Sequence, residues 1–276
     1  MRESWLFLAL SASLWSCHSQ ERRGTMLHFD FANREVKYVN EDLQEISGIF
    51  YLEDEHRMVS INDEDGKLFL VDFSGKTATV SEDFGKHGDY EDVTADDRYY
   101  YVLQSKGRIH RVRRDSVQGT EEIFDIKHKD SDFEAMYMDS PEKRIVMICK
   151  SCRGKEKKGK IPAFSFDLAT LQFEDEPRFE FDTHKVKSLV RDKYMDCKPS
   201  AAAIHPILRK LFVLCSVGKV LVICDLNGKV EEAFRLDPSF FPQPEGITFS
   251  ANGDMYISNE GQSDRGTIIR FPFVAP

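Results

Sequence analysis

Positive charge is in deficit in this chain of 276 residues: 38 lysines and arginines face 47 aspartates and glutamates, for a net charge of −9. Nucleic acid and anionic lipid heads reward a basic face, so neither is an expected partner. A bound cation is the natural complement to such an excess of carboxylates, and plain solubility is the other use for it. Beyond the first residues there is no apolar run of about 18, the length that spans a bilayer. Sustained helical periodicity is missing as well. His87, His110, His128, His184 and His205 are scattered with no HxxxH or HxH spacing, which removes the zinc-hydrolase patterns. G-x-S-x-G, P-loop and GxGxxG motifs are lacking too. Asn62 to Gly66 is acidic, but Ile61 and Asp72 would fill the first and last ligand positions of an EF-hand loop, so a hairpin turn explains Asp65-Gly66 better.

The first residues stand apart. Trp5 to Leu10 and Ser11 to Trp15 form a short apolar run that ends at Leu14-Trp15-Ser16-Cys17. It is too short for a permanent span and reads as a secretory signal. Leu, a small residue and then Cys resembles the bacterial lipobox, in which the cysteine is lipidated. The expected organisation is a signal peptide over residues 1–16, lipidated Cys17 with a polar tether over 17–26, and one domain over 27–276. An ordinary cleaved signal or a cytosolic start are the alternatives. The expected location is a bacterial cell envelope, facing the periplasm or the cell surface, with the lipid as the membrane contact.

Cysteine is sparse. Five remain after Cys17, and an odd count in an exported chain argues against a fully paired disulfide framework. Cys215 and Cys224 lie in apolar, strand-like runs and read as buried free thiols. Cys149 and Cys152 lack the second CxxC of a zinc site, leaving a local disulfide or two free thiols.

What the chain does have is a repeat. Units beginning at Ser47, Glu91, Glu134, Ser200 and Glu245 each run from a Glu or Ser through a small residue into an apolar strand. A turn rich in Asp, Asn, Pro or Gly follows, then a second strand and usually a third, as in Lys67 to Asp72 or Lys219 to Ile223. Most units recur after about 45 residues, the period of a β-propeller blade. The third is longer and holds a basic stretch, residues 153–160, expected as an exposed loop, and residues 174–193, an insertion or outer strands. The fold class is therefore all-β: a five-bladed propeller, with six blades as the alternative. A ring must have its ends tied, or a sheet edge stays open, so a strand from Leu27 to Phe31 or Val36 to Val39 is expected to complete the last blade.

Several short motifs in order resemble the SdiA-regulated family, also called YjiK-like proteins. They are Glu45-Ile-Ser-Gly-Ile, Asp89-Tyr-Glu-Asp, Asp132-Phe-Glu-Ala, Lys198-Pro-Ser-Ala, Pro242-Gln-Pro-Glu-Gly-Ile, Met255-Tyr-Ile-Ser-Asn-Glu-Gly and Gly266-Thr-Ile-Ile-Arg-Phe. The similarity spans about residues 27 to 273. It implies an envelope five-bladed propeller with bound calcium, and it names no reaction.

In a propeller the first strand of each blade lines the central channel. The start of that strand and the end of the second lie at the same mouth. This places Ser47, Glu91, Glu134, Ser200 and Glu245 in one ring. Asn62, Gln104, Lys150, Ser216 and Asn259 stand at the neighbouring strand ends, with Glu64 and Glu260 just beyond. Glu45, two residues before Ser47, points the same way by strand parity. Glu91, Glu134 and Glu245 are the candidate metal ligands, and calcium suits such hard oxygens. Lys150 offers a competing answer, neutralising the ring without metal, and a catalytic carboxylate cluster is a third. The expected function is binding or scaffolding by an envelope-anchored monomer, with a protein or small ligand at the propeller face. A calcium-dependent hydrolase, phytase-like or lactonase- or esterase-like, is the alternative.

Overall fold

The computed structural model describes residues 25–26, 28–73, 79–127, 131–152, 159–261 and 264–275. The expected signal, Cys17 and most of the tether lie outside these residues. A short hairpin, β1 (Thr25–Met26) and β2 (Phe29–Asp30), is followed by β3 (Glu35–Tyr38). Blade one then comprises β4 (Ile46–Leu52), β5 (Arg57–Asn62), β6 (Lys67–Val71) and β7 (Thr79–Asp83). Blade two is β8 (Tyr90–Ala95), β9 (Tyr99–Gln104), β10 (Arg108–Arg113) and β11 (Glu122–Asp125). Blade three holds β12 (Ser131–Asp139), β13 (Arg144–Cys152), β14 (Lys160–Asp167), β15 (Gln172–Phe173) and β16 (Phe179–Asp182). After it comes α1 (Thr183–Leu189), then blade four: β17 (Pro199–Ile204), β18 (Leu211–Cys215), β19 (Val220–Cys224) and β20 (Val230–Arg235). Blade five is β21 (Pro244–Phe249), β22 (Met255–Asn259) and β23 (Thr267–Phe271), with β3 as its fourth strand.

The fold is thus a five-bladed β-propeller, each blade an antiparallel sheet. The N-terminal strand closes the ring by pairing Glu35–Tyr38 with Thr267–Arg270. Among the described residues the long third unit holds no sixth blade: β15 and β16 both pair with β14 as outer strands. Asp182 caps α1 by accepting a hydrogen bond from the Lys185 N–H.

Middle strands are covered on both faces by neighbouring blades, so they read as unbroken apolar runs instead of alternating ones. β18 (LFVLC) and β19 (VLVIC) are buried throughout. Polar side chains join the blades where the inner strands converge. Ser258 Oγ donates to the Ser47 carbonyl at 2.8 Å, linking blade five to blade one. Asp92 accepts from the Met136 N–H at 2.8 Å, linking blade two to blade three.

Two cysteine expectations meet different outcomes. Cys224 is a buried free thiol, as expected. Cys215 is not free: it is bonded to Cys197, with Cα atoms 5.3 Å apart. The ladder sets Pro199 opposite Cys215, which brings the lead-in to β17 beside the end of β18. Cys149 and Cys152 form the second disulfide. Asp65-Gly66 lies in the β5–β6 hairpin, where the Asn62 Oδ1 accepts from the Asp65 N–H at 2.9 Å.

Candidate functional site

Near its start, the inner strand of every blade slips register against the second strand. In blade two Tyr90 faces Gln104 and Asp92 faces Leu103, so Glu91 has no opposite residue. The same slip isolates Glu134, Ser200 and Glu245 in blades three to five. In blade one Ser47 and Gly48 share this place, between the pairs Ile46–Asn62 and Ile49–Ser60. A bulge of this kind re-aims the extra residue and ends regular pairing. The five positions aligned in the sequence are thus one structural position repeated around the ring.

The bulges open into a cavity of about 600 Å³. Glu91, Glu134, Glu245, Ser47, Lys150 and Glu260 all line it. The other expected residues do not. Ser200 is buried between blades, its Oγ donating to the Pro244 carbonyl at 3.2 Å. The Asn62 amide donates to the Asp42 carbonyl, and Gln104 lies against His110 Nε2 at 3.3 Å. Asn259 is buried, and neither end of its amide has a hydrogen-bond partner. Glu45 and Glu64 are exposed outside the wall, although the Glu45 charge acts on Asp63 and Glu260.

Residues not named as site residues in the sequence complete the lining: Asp63, Asp89, Asp132, Lys198 and Gln243, together with Ser105 and Ser151. Four of them obey one rule. Asp89, Asp132, Lys198 and Gln243 each stand two residues before the bulged position of their blade. Strand parity aims i−2 the same way. The argument that selected Glu45 ahead of Ser47 would have found all four.

Seven carboxylates therefore face two ammonium groups in the cavity, those of Lys150 and Lys198. Burial, with repulsion from Glu134, Asp89 and Glu245, pushes the Glu91 carboxyl up to about 9. Burial and Glu134 raise Glu245 to about 7, and burial and Glu45 raise Asp63 to about 6. Burial works against the Lys150 charge, but its bond to Glu134 outweighs that, and the ammonium is held above its ordinary range. Ser216 Oγ donates to Glu245 at 3.1 Å, Ser105 Oγ to Asp89 at 2.6 Å, and Gln243 to Glu260. Among the described residues no three of His, Cys, Asp and Glu are grouped closely enough to enclose a metal ion as they stand.

Further along the channel a narrow second space of about 70 Å³ is lined by apolar groups such as Ile49, Val93, Met136 and Ile247. Asp92 is the carboxylate at this throat. It is spoken for, accepting from the Val93 and Met136 N–H groups at 2.8 Å. The channel thus narrows from a wide acidic mouth to a throat where apolar side chains stand among Asp92, Thr94 and Thr248.

Three comparisons bear on this architecture. A model of the SdiA-regulated family matches residues 24–262. No curated protein sequence matches the chain. Among solved structures, a glucose dehydrogenase superposes with a TM-score of 0.56 at 11% identity, covering 86% of this chain and 98% of its own. A luciferin-regenerating enzyme gives 0.52 at 11% identity, covering 88% and 96%. At such identities the likeness is one of fold. No described helix is long and apolar enough to cross a membrane.

Proposed function

The chain belongs to the SdiA-regulated family, and we propose that it is an envelope-anchored binding propeller whose acidic channel mouth holds calcium. The observation that carries this reading is the convergence of seven carboxylates on one cavity lined by two ammonium groups, with a third, Lys106, paired to Asp132. Burial first, and then repulsion from Glu134, raises Glu91 to about 9 and Glu245 to about 7, so a cation placed between them would relieve that repulsion. The donors are hard oxygens, which fit calcium. That ion takes about six to eight oxygens in loose geometry and accepts water among them, which suits carboxylates spread around a cavity. Glu91, Glu134 and Glu245 would hold it. When bound, the ion supplies the positive charge that the ring lacks and a Lewis-acidic contact for a ligand.

Chain direction supports an outward-facing mouth. β21 starts at the mouth, and β23 runs parallel to it, so Phe271 and Phe273 lie at the far end of blade five. There Phe29 pairs with Phe273, which puts the start of the described chain on the face opposite the cavity. An anchor at Cys17 then leaves the mouth open to a partner. Calorimetric titration of the chelator-treated protein with calcium tests the binding: saturable uptake that weakens in Glu91→Gln and Glu245→Gln supports it, and absence of uptake sinks it. For the anchor, Cys17→Ala should abolish palmitate labelling.

One observation favours hydrolysis as a second reading. Burial and the neighbouring Glu134 push the Glu91 carboxyl up to about 9, the disposition of a general acid. Calcium-dependent turnover of phosphate esters, lactones or aryl esters, lost in Glu91→Gln, would select it.

A further inference from the structure

Blade three departs from the pattern that blades two, four and five share. Its inner strand carries the common bulge at Glu134, but its second strand carries an extra residue too. Asp132 faces Ser151 and Phe133 faces Cys149, so Lys150 has no opposite residue. In blades two, four and five every second-strand residue within the ladder has an opposite residue, and the ladder ends one pair before the inner-strand bulge. Lys150 and Ser151 line the cavity, and the Lys150 ammonium bonds to Glu134.

The two residues that bracket this insertion are Cys149 and Cys152, joined by a disulfide. Their Cα atoms are 5.9 Å apart. Three steps of extended strand would place them about 10 Å apart, beyond the roughly 7 Å that a disulfide can bridge. The crosslink therefore requires the bulge. A regular strand could not carry the bond, and with the bond in place the strand cannot become regular.

We propose that the Cys149–Cys152 disulfide is the positioning element that holds Lys150 in the carboxylate ring, so that its oxidation state sets the cation affinity of the cavity. This rests on the calcium reading above. Reduction by a dithiol moves two electrons and two protons to the cysteine sulfurs. The S–S bond breaks, two thiols form, and the reductant closes to its own disulfide. With the constraint gone, the Lys150 side chain leaves Glu134, and the cavity loses one of its two built-in positive charges. An incoming cation then meets less repulsion and more free carboxylate.

Two readouts on the same samples test this. One is the rate at which an amine-reactive acylating reagent modifies Lys150, followed by mass spectrometry without calcium. The other is calcium affinity by calorimetry. The samples are the oxidised parent, Cys149→Ser/Cys152→Ser, and a Cys197→Ala/Cys215→Ala protein before and after dithiothreitol, which isolates the bridge of interest should the serine variant fail to fold. We expect faster Lys150 acylation and calcium binding about tenfold tighter once the bridge is open. Unchanged Lys150 acylation overturns the proposal. So does faster acylation with calcium affinity left as in the oxidised protein. Faster acylation with no calcium binding in any sample supports the positioning of Lys150 and places the failure in the calcium reading.

Discussion

Glu134 and Lys150 both stand outside the strand ladder of blade three, and their side chains meet in the cavity. Blades one, two, three and five each contribute an off-ladder residue to the mouth, and blade three contributes a cation as well. Lys150 offsets one carboxylate and leaves Glu91 and Glu245 without a close partner of opposite charge. Their raised pKa values follow first from burial and then from repulsion by Glu134.

Glu245→Gln should therefore make the ion-free protein more stable at pH 8, because it removes repulsion with Glu134 and Glu260 while keeping side-chain shape. We expect a gain of about 1 kcal/mol in urea unfolding with chelator present. The same substitution should reduce the stabilisation that calcium confers. A loss of stability with and without calcium would instead mark a ring already balanced by Lys150.

Calcium affinity should rise with pH between about 6 and 9. Glu91, Glu245 and Asp63 have folded pKa values near 9, 7 and 6, above their ordinary values of 4.5 for Glu and 3.8 for Asp. In this window the ion-free folded state holds more protons than the unfolded chain, so its stability falls as pH rises. A cation must displace those protons. Calorimetry at pH 7.5 in two buffers of different ionisation enthalpy should show net proton release on binding, about one proton or more.

His205 should impose the opposite trend at acid pH. It is fully buried among Phe29, Phe212, Phe249 and Phe273. Its Nδ1 accepts from the Leu208 N–H at 3.0 Å, so the neutral ring donates from Nε2 to the Gly253 carbonyl. Burial pushes its pKa down to about 4 from the ordinary 6.5. The unfolded chain therefore binds the proton first, and this contribution to stability, full above about 6.5, fades as pH falls towards 4. About 3 kcal/mol is at stake. Urea midpoints of His205→Gln should depend less on pH between 4 and 6.5 than those of the parent.

Close approach of blades one and two depends on Gly48. A Cβ there would lie 2.5 Å from the Asp92 Cα and 2.6 Å from the Val93 nitrogen, both backbone atoms. Gly48→Ala should cost about 2 kcal/mol or more, since the blades must part. Gly119→Ala is the control: its φ is +72°, but nothing lies within 4 Å, so the cost is about 1 kcal/mol of backbone strain.

Much of this was legible in the sequence because one position repeats. Ser47, Glu91, Glu134, Ser200 and Glu245 aligned as unit starts, and each proved to be the bulged residue of its inner strand. The bulge also explains what failed. Gln104 and Asn259 end their strands opposite Tyr90 and Pro244, the residues before the bulge. Facing cannot be carried across a ladder that has just slipped, and both side chains fall outside the cavity wall. Asp89, Asp132, Lys198 and Gln243 were readable by the parity used for Glu45, a signal applied to one blade of five. The Cys197–Cys215 bridge depends on which lead-in residue meets which strand end, and apolar flanks alone hid it.

The most direct test is a set of thermal melts of the parent and of Glu91→Gln/Glu134→Gln/Glu245→Gln, each with calcium and with chelator. Calcium at a hundredfold excess over its dissociation constant should stabilise the parent by about 2.7 kcal/mol. In the triple variant the calcium shift should vanish, while its chelator-treated form melts no lower than the chelator-treated parent. A parent that melts at one temperature with calcium and with chelator would contradict the calcium site, and so would a triple variant that keeps the full calcium shift.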